Sequence, residues 1–136
     1  MAGYSGTPLL KKLGIKPGFQ IIVYESPSGY WVWISPLPED VKVRKTSTAQ
    51  SIDFIHLFVK ERKAYEKEVL RNRKLLKPDG MIWISWPKKS SGVPSDLDES
   101  LIRNFALKNG LVDVKVCAVD EVWSGLKLVI PVKLRK

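Results

Sequence analysis

The alternation of short apolar runs with helical segments constrains the fold of this chain more than any other feature. Six segments have the apolar or alternating pattern of a strand, namely 19–24, 41–43, 52–59, 81–86, 112–117 and 126–132. Helices are predicted at 8–13, 30–34, 61–76 and 97–108. Strands separated by helices predict a parallel sheet, whereas the last two strands follow each other closely and predict an antiparallel hairpin at its edge.

The connection between the second and third predicted strands is too short for a complete βα unit. Only eight residues separate Val43 from Ile52, whereas a parallel crossover that includes a helix needs a dozen or more. A chain of eight extended residues reaches about 26–29 Å, which is enough to cross one strand and return to the other end of the sheet. We therefore predict a reduced three-layer α/β sandwich. Its strands, numbered along the chain, have the order 2-1-3-4-6-5, and strand 6 is antiparallel.

Length and composition predict one domain over 1–136, with a helical N-terminal extension over 1–18. The chain has 136 residues, of which 44% are hydrophobic and 27% charged, as in ordinary globular proteins. The single cysteine, Cys117, excludes an intramolecular disulfide and a cysteine-rich zinc site. No segment has the length and hydropathy of a membrane span or a signal peptide, so we expect a cytoplasmic protein without membrane contact.

Charge is the unusual property of the composition. The chain carries 23 basic and 14 acidic residues, a net charge of +9, which favours a polyanionic partner without specifying the fold. The segment 60–77 alone contains eight basic and three acidic residues. It is either an electrostatic surface for nucleic acid or the solvated outer face of a helix that covers the sheet.

The segment 52–58, the helix after it and the turn Leu76-Lys77-Pro78-Asp79-Gly80 resemble the C-terminal half of class I S-adenosylmethionine-dependent methyltransferases. The resemblance implies a Rossmann-like, methyltransferase-like fold over about 19–132. The segments 5–18, 86–89 and 123–127 are similar to those of a short bacterial family of unknown function that is described as methyltransferase-like. This second resemblance implies a fold and no activity.

The residues that would hold the cofactor depart from the pattern of those methyltransferases. Their glycine-rich loop follows an acidic residue after the first strand; here Glu25 and Gly29 match, but Pro27 replaces the first glycine and supplies no N–H group. The acidic residue expected after the second strand is replaced by Arg44 and Lys45. We therefore expect no cofactor, with S-adenosylmethionine possible but disfavoured.

Candidate binding residues cluster at the predicted ligand edge of the sheet. For a small anionic ligand they are Ser5, Thr7, Glu25, Gly29, Lys88, Lys89 and Ser90. The lysines, hydroxyls and glycine could bind a phosphate or carboxylate, although ordinary loop and helix-cap roles explain the same residues. Trp123 and Lys127 are candidates for a partner surface. His56 and Cys117 are interpreted as structural residues, and no catalytic or metal-ligating group is predicted.

The leading hypothesis is a non-catalytic binding or interaction module of unknown function on a degenerate methyltransferase-like fold. Two alternatives stay open. One is a divergent S-adenosylmethionine-dependent methyltransferase whose loop around Pro27 still holds the cofactor. The other is a nucleic-acid-binding protein that uses the basic helix 60–77. Trp31, Trp33 and Trp123 are more tryptophan than a small core can readily bury, so self-association is also an open expectation.

Overall fold

The computed structural model describes residues 8–135, which form a six-stranded sheet with helices on both faces. The strands are β1 (Gln20–Tyr24), β2 (Lys42–Arg44), β3 (Ile52–Phe58), β4 (Leu76–Pro87), β5 (Val112–Ala118) and β6 (Trp123–Val129). The helices are α1 (Leu9–Leu13), α2 (Tyr30–Trp33), α3 (Arg62–Arg73) and α4 (Glu99–Lys108). Between residues 8 and 135 no helix is long and apolar enough to span a membrane.

The strand order is β2-β1-β3-β4-β6-β5, which confirms the order predicted from the sequence. Pairing is parallel from β2 to β4, and β6 is antiparallel to both β4 and β5. The short connection after β2 passes β1 without building a helix, as its length requires. The fold is therefore an α/β, methyltransferase-like fold that lacks one βα unit at the β2 edge.

The two faces of the sheet bury different kinds of side chain. Helices α3 and α4 cover one face with an almost entirely aliphatic core, in which Ile55, Ile82 and Ile102 are fully buried. Helices α1 and α2 cover the other face, where the core is rich in aromatic rings, among them Tyr30 and Trp83. We call these the aliphatic face and the aromatic face. Alternate residues of each central strand supply the two faces, as the two-residue period of a strand requires.

Helix α1 is attached to the aromatic face by a buried hydrogen bond. The Trp83 indole Nε1–H donates a hydrogen bond of 2.9 Å to the Leu13 carbonyl oxygen. Gly14 then ends the helix in the left-handed conformation (φ 87°) that favours glycine. Thr7, predicted to cap this helix, and Ser5 lie outside the described residues.

Strand β4 begins five residues earlier than the sequence predicts. The segment from Leu76 to Gly80 is extended rather than a turn, and its register against β3 shifts, because Ile52 pairs with Leu76 but Phe54 pairs with Met81. A Cβ atom on Gly80 would lie 2.7 Å from the Leu76 side chain and 3.1 Å from the Asp53 carbonyl oxygen, so a larger residue would require the Leu76 side chain to shift. The predicted helix 60–77 is correspondingly shorter and ends at Arg73.

The start of α4 and the final hairpin also differ from the prediction. Helix α4 begins at Glu99, two residues after the predicted start, because Asp98 caps it by accepting a hydrogen bond from the Leu101 N–H. The last strand was predicted to begin at residue 126, but β6 begins at Trp123. The turn precedes it, because the Asp120 carboxylate accepts the N–H groups of Val122 and Trp123.

Candidate functional site

A cleft of about 580 Å³ lies beyond the carboxyl ends of β1 and β3. β1 has β2 on one side and β3 on the other, all three parallel. The chain therefore changes direction across the sheet at β1, and such a switch point is where open α/β sheets bind ligands. The volume of the cleft is within the usual range for small-molecule sites.

The walls of the cleft come from three regions of the chain. The regions are the segment after β1, the connection from β3 to α3, and two distant residues that close the far side. The lining residues are Tyr24, Glu25, Pro27, Phe58, Val59, Lys60, Glu61, Ala64, Pro94 and Trp123. Aromatic rings thus form the inner part of the wall, while two carboxylates and one ammonium group are available to bind the polar atoms of a ligand.

Glu25 is held in a backbone conformation that is unusual for its residue type. It directly follows β1 and has φ 54°, in the left-handed region that disfavours residues with a Cβ atom. Gly29, at the end of the same loop, has φ 94°, and a Cβ atom there would lie 3.1 Å from the Trp33 indole nitrogen. The loop is therefore tightly turned, and Pro27 lines the cleft instead of interrupting it.

The opposite rim is fixed by the segment before α4. The Asp96 carboxylate accepts a hydrogen bond of 2.7 Å from the Arg62 N–H, the first residue of α3. The Ser95 hydroxyl donates one of 2.7 Å to the Lys60 carbonyl. These two contacts hold the wall formed by Lys60 and Glu61 against the loop that carries Pro94.

The electrostatics of the inner wall are set by burial and by carboxylates. Burial, followed by the charges of Glu68 and Glu25, raises the pKa of the Tyr24 hydroxyl, while Arg71 acts in the opposite direction. Tyr24 is therefore a neutral hydrogen-bonding group at physiological pH. Glu25 and Glu61 are exposed to solvent at the rim, where a cationic or hydroxyl-bearing ligand could reach them.

A buried polar network lies directly beneath the aromatic wall. The His56 imidazole is 2.8 Å from the Tyr30 hydroxyl through Nδ1 and 2.8 Å from the Ser85 hydroxyl through Nε2. Burial lowers the pKa of His56 to about 3, so the ring is neutral and accepts at one nitrogen while donating at the other. The His56 ring stacks on Phe58, which in turn meets Trp123 edge to face.

The structure brings together some of the predicted site residues and separates others. Glu25 and Trp123 line the cleft. The Lys88 ammonium group donates to the Asp120 carbonyl, and Lys89 and Ser90 are exposed in the short 3₁₀ turn Lys89–Ser91. Gly29 shapes the loop, and Lys127 lies in β6, within the strand predicted over 126–132.

Seven lining residues were not identified as site candidates from the sequence: Tyr24, Phe58, Val59, Lys60, Glu61, Ala64 and Pro94. Tyr24 and Phe58 are the last residues of buried strands, so the position after each strand run was a usable signal for them. Glu61 and Pro94 have no such signal, because the contact between the loop before α4 and the start of α3 joins residues more than thirty positions apart.

The basic segment that suggested nucleic-acid binding is partly neutralised on α3. Arg62 pairs with Glu66 at 2.9 Å, Arg71 lies 3.8 Å from Glu68, and Arg73 donates to the Gly110 carbonyl. Among the described residues, no group of three or more histidine, cysteine or acidic side chains could hold a metal ion.

Comparison with solved structures identifies the fold. The chain is similar to an S-adenosylmethionine-dependent methyltransferase from Aquifex aeolicus, with a TM-score of 0.65, 15% identity, and coverage of 90% of this chain and 87% of that one. It is also similar to Aeropyrum pernix fibrillarin with natively bound S-adenosyl-L-methionine, with a TM-score of 0.58, 15% identity, and coverage of 93% and 70%. No protein-family model matches the sequence, and a search of curated proteins finds no match.

A third similar structure is 1,6-didemethyltoxoflavin-N1-methyltransferase from Burkholderia thailandensis with bound S-adenosylhomocysteine. It has a TM-score of 0.60 and 11% identity, with coverage of 95% of this chain and 79% of that one. These neighbours contradict the prediction that the fold carries no cofactor, because the proteins that share it are S-adenosylmethionine-dependent methyltransferases. The prediction rested on Pro27 in the loop and on Arg44 and Lys45 after the second strand, and it did not take into account the cleft at the ends of β1 and β3.

Proposed function

We propose that this chain is a divergent S-adenosylmethionine-dependent methyltransferase that binds its cofactor in the cleft beyond β1 and β3. The observation that carries the proposal is the position of that cleft at the switch point of the sheet, with Glu25 directly after β1. The similarity to methyltransferases of known structure supports the same function.

The charged groups of the cleft fit a sulfonium nucleoside. Glu25 and Glu61 supply carboxylates that can accept hydrogen bonds from ribose hydroxyls or from the amino group of the methionine part. Lys60 supplies a positive charge for its carboxylate. The exposed residues Arg44 and Lys45 follow β2, where an acidic residue would otherwise accept hydrogen bonds from the ribose hydroxyls. Those hydrogen bonds therefore have to come from the β1 or α3 side of the cleft. This is the main departure from the usual arrangement.

The aromatic wall fits the remaining parts of such a ligand. Trp123 and Phe58 meet edge to face with ring centroids 5.1 Å apart, and Trp123 is buried apart from the part that lines the cleft. Aromatic faces attract cations and stack on planar bases. When bound, S-adenosylmethionine supplies an electrophilic methyl group, and the chain contributes by orienting the reactants and excluding water.

Isothermal titration calorimetry with S-adenosylmethionine, S-adenosylhomocysteine and adenosine tests the proposal. We expect the first two to bind and adenosine to bind more weakly. The variant Glu25→Gln removes a charged hydrogen-bond acceptor, and such bonds contribute about 1.5–3 kcal/mol. We therefore expect an affinity at least ten-fold weaker for this variant.

Glu39→Gln is the matched control. Glu39 is also exposed, but it precedes β2 and so lies at the amino end of the parallel strands, where the cleft is not. Unchanged affinity in this variant, with a loss in Glu25→Gln, supports the cleft. Absence of binding by both sulfur-containing ligands, or an equal loss in the two variants, would show the proposal to be wrong.

A further inference from the structure

A second cavity, of about 120 Å³, lies on the aliphatic face between β1, α3 and the connection that follows β2. We call it the edge cavity. The connection passes β1 without forming a helix, so the space that a helix would fill between it and α3 stays partly open. Ile22 and Leu75 form apolar walls of the edge cavity, and the exposed residues Lys45 and Thr46 form its rim.

Three side chains bring polar atoms to the wall of the edge cavity. Glu68 and Asn72 both line it from α3, and they are only 4% and 5% exposed. Residues four positions apart share one face of a helix, so α3 presents a carboxylate and an amide together. Tyr24 lines the cavity from the end of β1. Burial, followed by the negative charge of Glu68, raises the pKa of the Tyr24 hydroxyl, so this hydroxyl lies close to the carboxylate.

Two oxygen atoms of this group lack hydrogen-bond donors within residues 8–135. The Asn72 Nδ2 group donates to the Glu68 carbonyl at 2.8 Å and to Glu68 Oε1 at 3.4 Å, so neither bond uses Asn72 Oδ1 or Glu68 Oε2. No polar side-chain atom in the described part of the chain is both fully buried and unpartnered, so these two oxygens open to the cavity. Arg71 lies 3.8 Å from Oε1, but its side chain is 63% exposed and neutralises the carboxylate weakly. A buried carboxylate of this kind gains from a ligand that supplies N–H groups.

The charges of the edge cavity are arranged by depth. The Glu68 carboxylate is buried, whereas Lys45 and Arg71 are exposed at the rim. None of the ion pairs between residues 8 and 135 involves Lys45. A bare anion in the cavity would meet the buried carboxylate, and a bare cation would have to pass two positive side chains. A zwitterion that enters with its ammonium group first meets an opposite charge at each end.

The volume of the edge cavity limits the size of such a ligand. It corresponds to about four water molecules, which admits only the smallest amino acids. We propose that the edge cavity binds a small α-amino acid such as glycine or alanine, with its ammonium group at Glu68 and its carboxylate at Lys45. An ammonium group has three N–H donors, which match the acceptor oxygens of Glu68, Asn72 and Tyr24. This proposal does not depend on a cofactor in the cleft.

Heteronuclear NMR titration of the isotope-labelled full chain with glycine and with L-alanine tests the inference, without cofactor and at constant pH and ionic strength. We expect dissociation constants on the order of 1 mM, because ligands with so few atoms make little contact. The side-chain amide of Asn72 and the backbone amide of Thr46 should be among the signals that shift most. Failure of both amino acids to bind, or shifts confined to other parts of the chain, would overturn the inference.

The variant Glu68→Gln tests the role of the buried carboxylate. It keeps the shape of the side chain but removes its charge, and the loss of a charged hydrogen bond should weaken glycine binding by about ten-fold or more. Glu66→Gln is the matched control, because it makes the same change on the same helix. Glu66 pairs with Arg62 and does not line the edge cavity, so we expect unchanged affinity. Equal losses in the two variants would show that the net charge of the chain, and not the cavity, controls binding.

Analogues that carry one charge identify the groups that are recognised. Methylamine has only the ammonium group and acetate only the carboxylate, so each should bind about ten-fold more weakly than glycine or worse. Methylamine binding as tightly as glycine would indicate a simple cation site, and acetate doing so would indicate an anion site; either result overturns the inference. L-leucine should bind more weakly than L-alanine, and equal affinities would contradict the limit set by the volume.

The variant Lys45→Gln tests the rim of the edge cavity at an exposed position, where a substitution leaves the fold intact. It should weaken the binding of glycine without weakening that of methylamine, because only glycine has a carboxylate for the lysine to bind. Lys42→Gln is the control, since Lys42 is exposed in β2 and does not line the cavity. A loss for methylamine in Lys45→Gln, or an equal loss for glycine in both variants, would contradict the proposed orientation. The amide spectrum of each variant verifies that it is folded.

Discussion

The aliphatic and aromatic faces of the sheet are built from the same strands but carry out different tasks. On the aliphatic face, α3 and α4 bury branched side chains, with Tyr65 bonded to the Ile102 carbonyl as a polar contact. On the aromatic face, short helices cover a buried histidine, two hydroxyls and several rings that continue into the cleft. Both faces stabilise the scaffold, and the aromatic face also supplies the Phe58 and Trp123 rings of the candidate site.

The difference indicates where this fold tolerates change. Dispersion and apolar burial do not depend on direction, so many aliphatic residues can replace one another on the α3–α4 side. Hydrogen bonds in a dry core are directional and costly to leave unmade. The predictions below either compare the effects of substituting one residue on each face or test the buried histidine, which only the aromatic face has.

Truncation of neighbouring residues in β4 should produce the largest effects. Ile82 is buried in the aliphatic face and Trp83 in the aromatic face, both fully. Replacement by alanine should lower the free energy of unfolding by about 2–5 kcal/mol for Ile82 and about 3–5 kcal/mol for Trp83. Urea unfolding measures both values.

Trp83→Ala should have a second effect that Ile82→Ala lacks. It removes the hydrogen bond to the Leu13 carbonyl, so α1 should become sensitive to limited proteolysis under native conditions. Equal protease sensitivity of the two variants would show that the indole contact does not attach the helix.

An effect of intermediate size is expected in the pH dependence of the free energy of unfolding, because only the aromatic face buries a histidine. An unfolded chain protonates His56 near pH 6.5, whereas burial lowers the pKa to about 3 in the folded protein. Between these two pH values the unfolded state binds one more proton, so the free energy of unfolding falls as the pH falls, by about 1.4 kcal/mol per unit. His56→Phe should lack this component, as urea unfolding at pH 7, 6 and 5 would reveal. If the slopes of the two proteins agree, the imidazole is not neutral in the folded state.

Removal of single buried hydroxyls should give the smallest effects. Tyr30→Phe leaves His56 Nδ1 without its 2.8 Å partner and should cost about 1–3 kcal/mol. Tyr65→Phe should cost about 1 kcal/mol, because the Ile102 carbonyl lies inside α4 and keeps the hydrogen bond of the helix. Thermal unfolding of the pair tests the ranking. A larger loss in Tyr65→Phe would contradict the importance of the buried network.

The aliphatic face could be predicted from sequence because its signals are local. A single helix contains the four-residue spacing of Tyr65 and Val69, and a single strand contains the apolar run around Ile55. Each pattern therefore predicts its element without knowledge of the rest of the fold. The strand order followed from the length of the connection after Val43. The start of β4 was missed because Pro78 and Gly80 normally indicate a turn; here the register shift opposite Ile52 accommodates them in an extended segment.

The candidate site was only partly predictable because its residues meet through tertiary contacts. Glu25 and Trp123 were identified as candidates, although the sequence did not place Trp123 in a strand. Pro94 lines the cleft because the loop before α4 contacts the start of α3, which no local sequence pattern indicates, whereas the position of Phe58 at the end of β3 was a usable signal. The cofactor prediction failed for a related reason: Pro27 was judged against a loop motif, whereas the position of the cleft depends on the ends of β1 and β3.

The capping of α3 by Asp96 makes the cleft rim a cooperative unit. Helix α3 has no side-chain cap from its own first residues, and the group that satisfies the Arg62 N–H comes from thirty-four positions later in the chain. Opening of the loop before α4 therefore frays the first turn of α3 in the same event. During synthesis this wall of the cleft is complete only after residue 96 has emerged and folded back. The integrity of this wall of the cleft is thus tied to the capping of a helix end and not to the position of a single side chain.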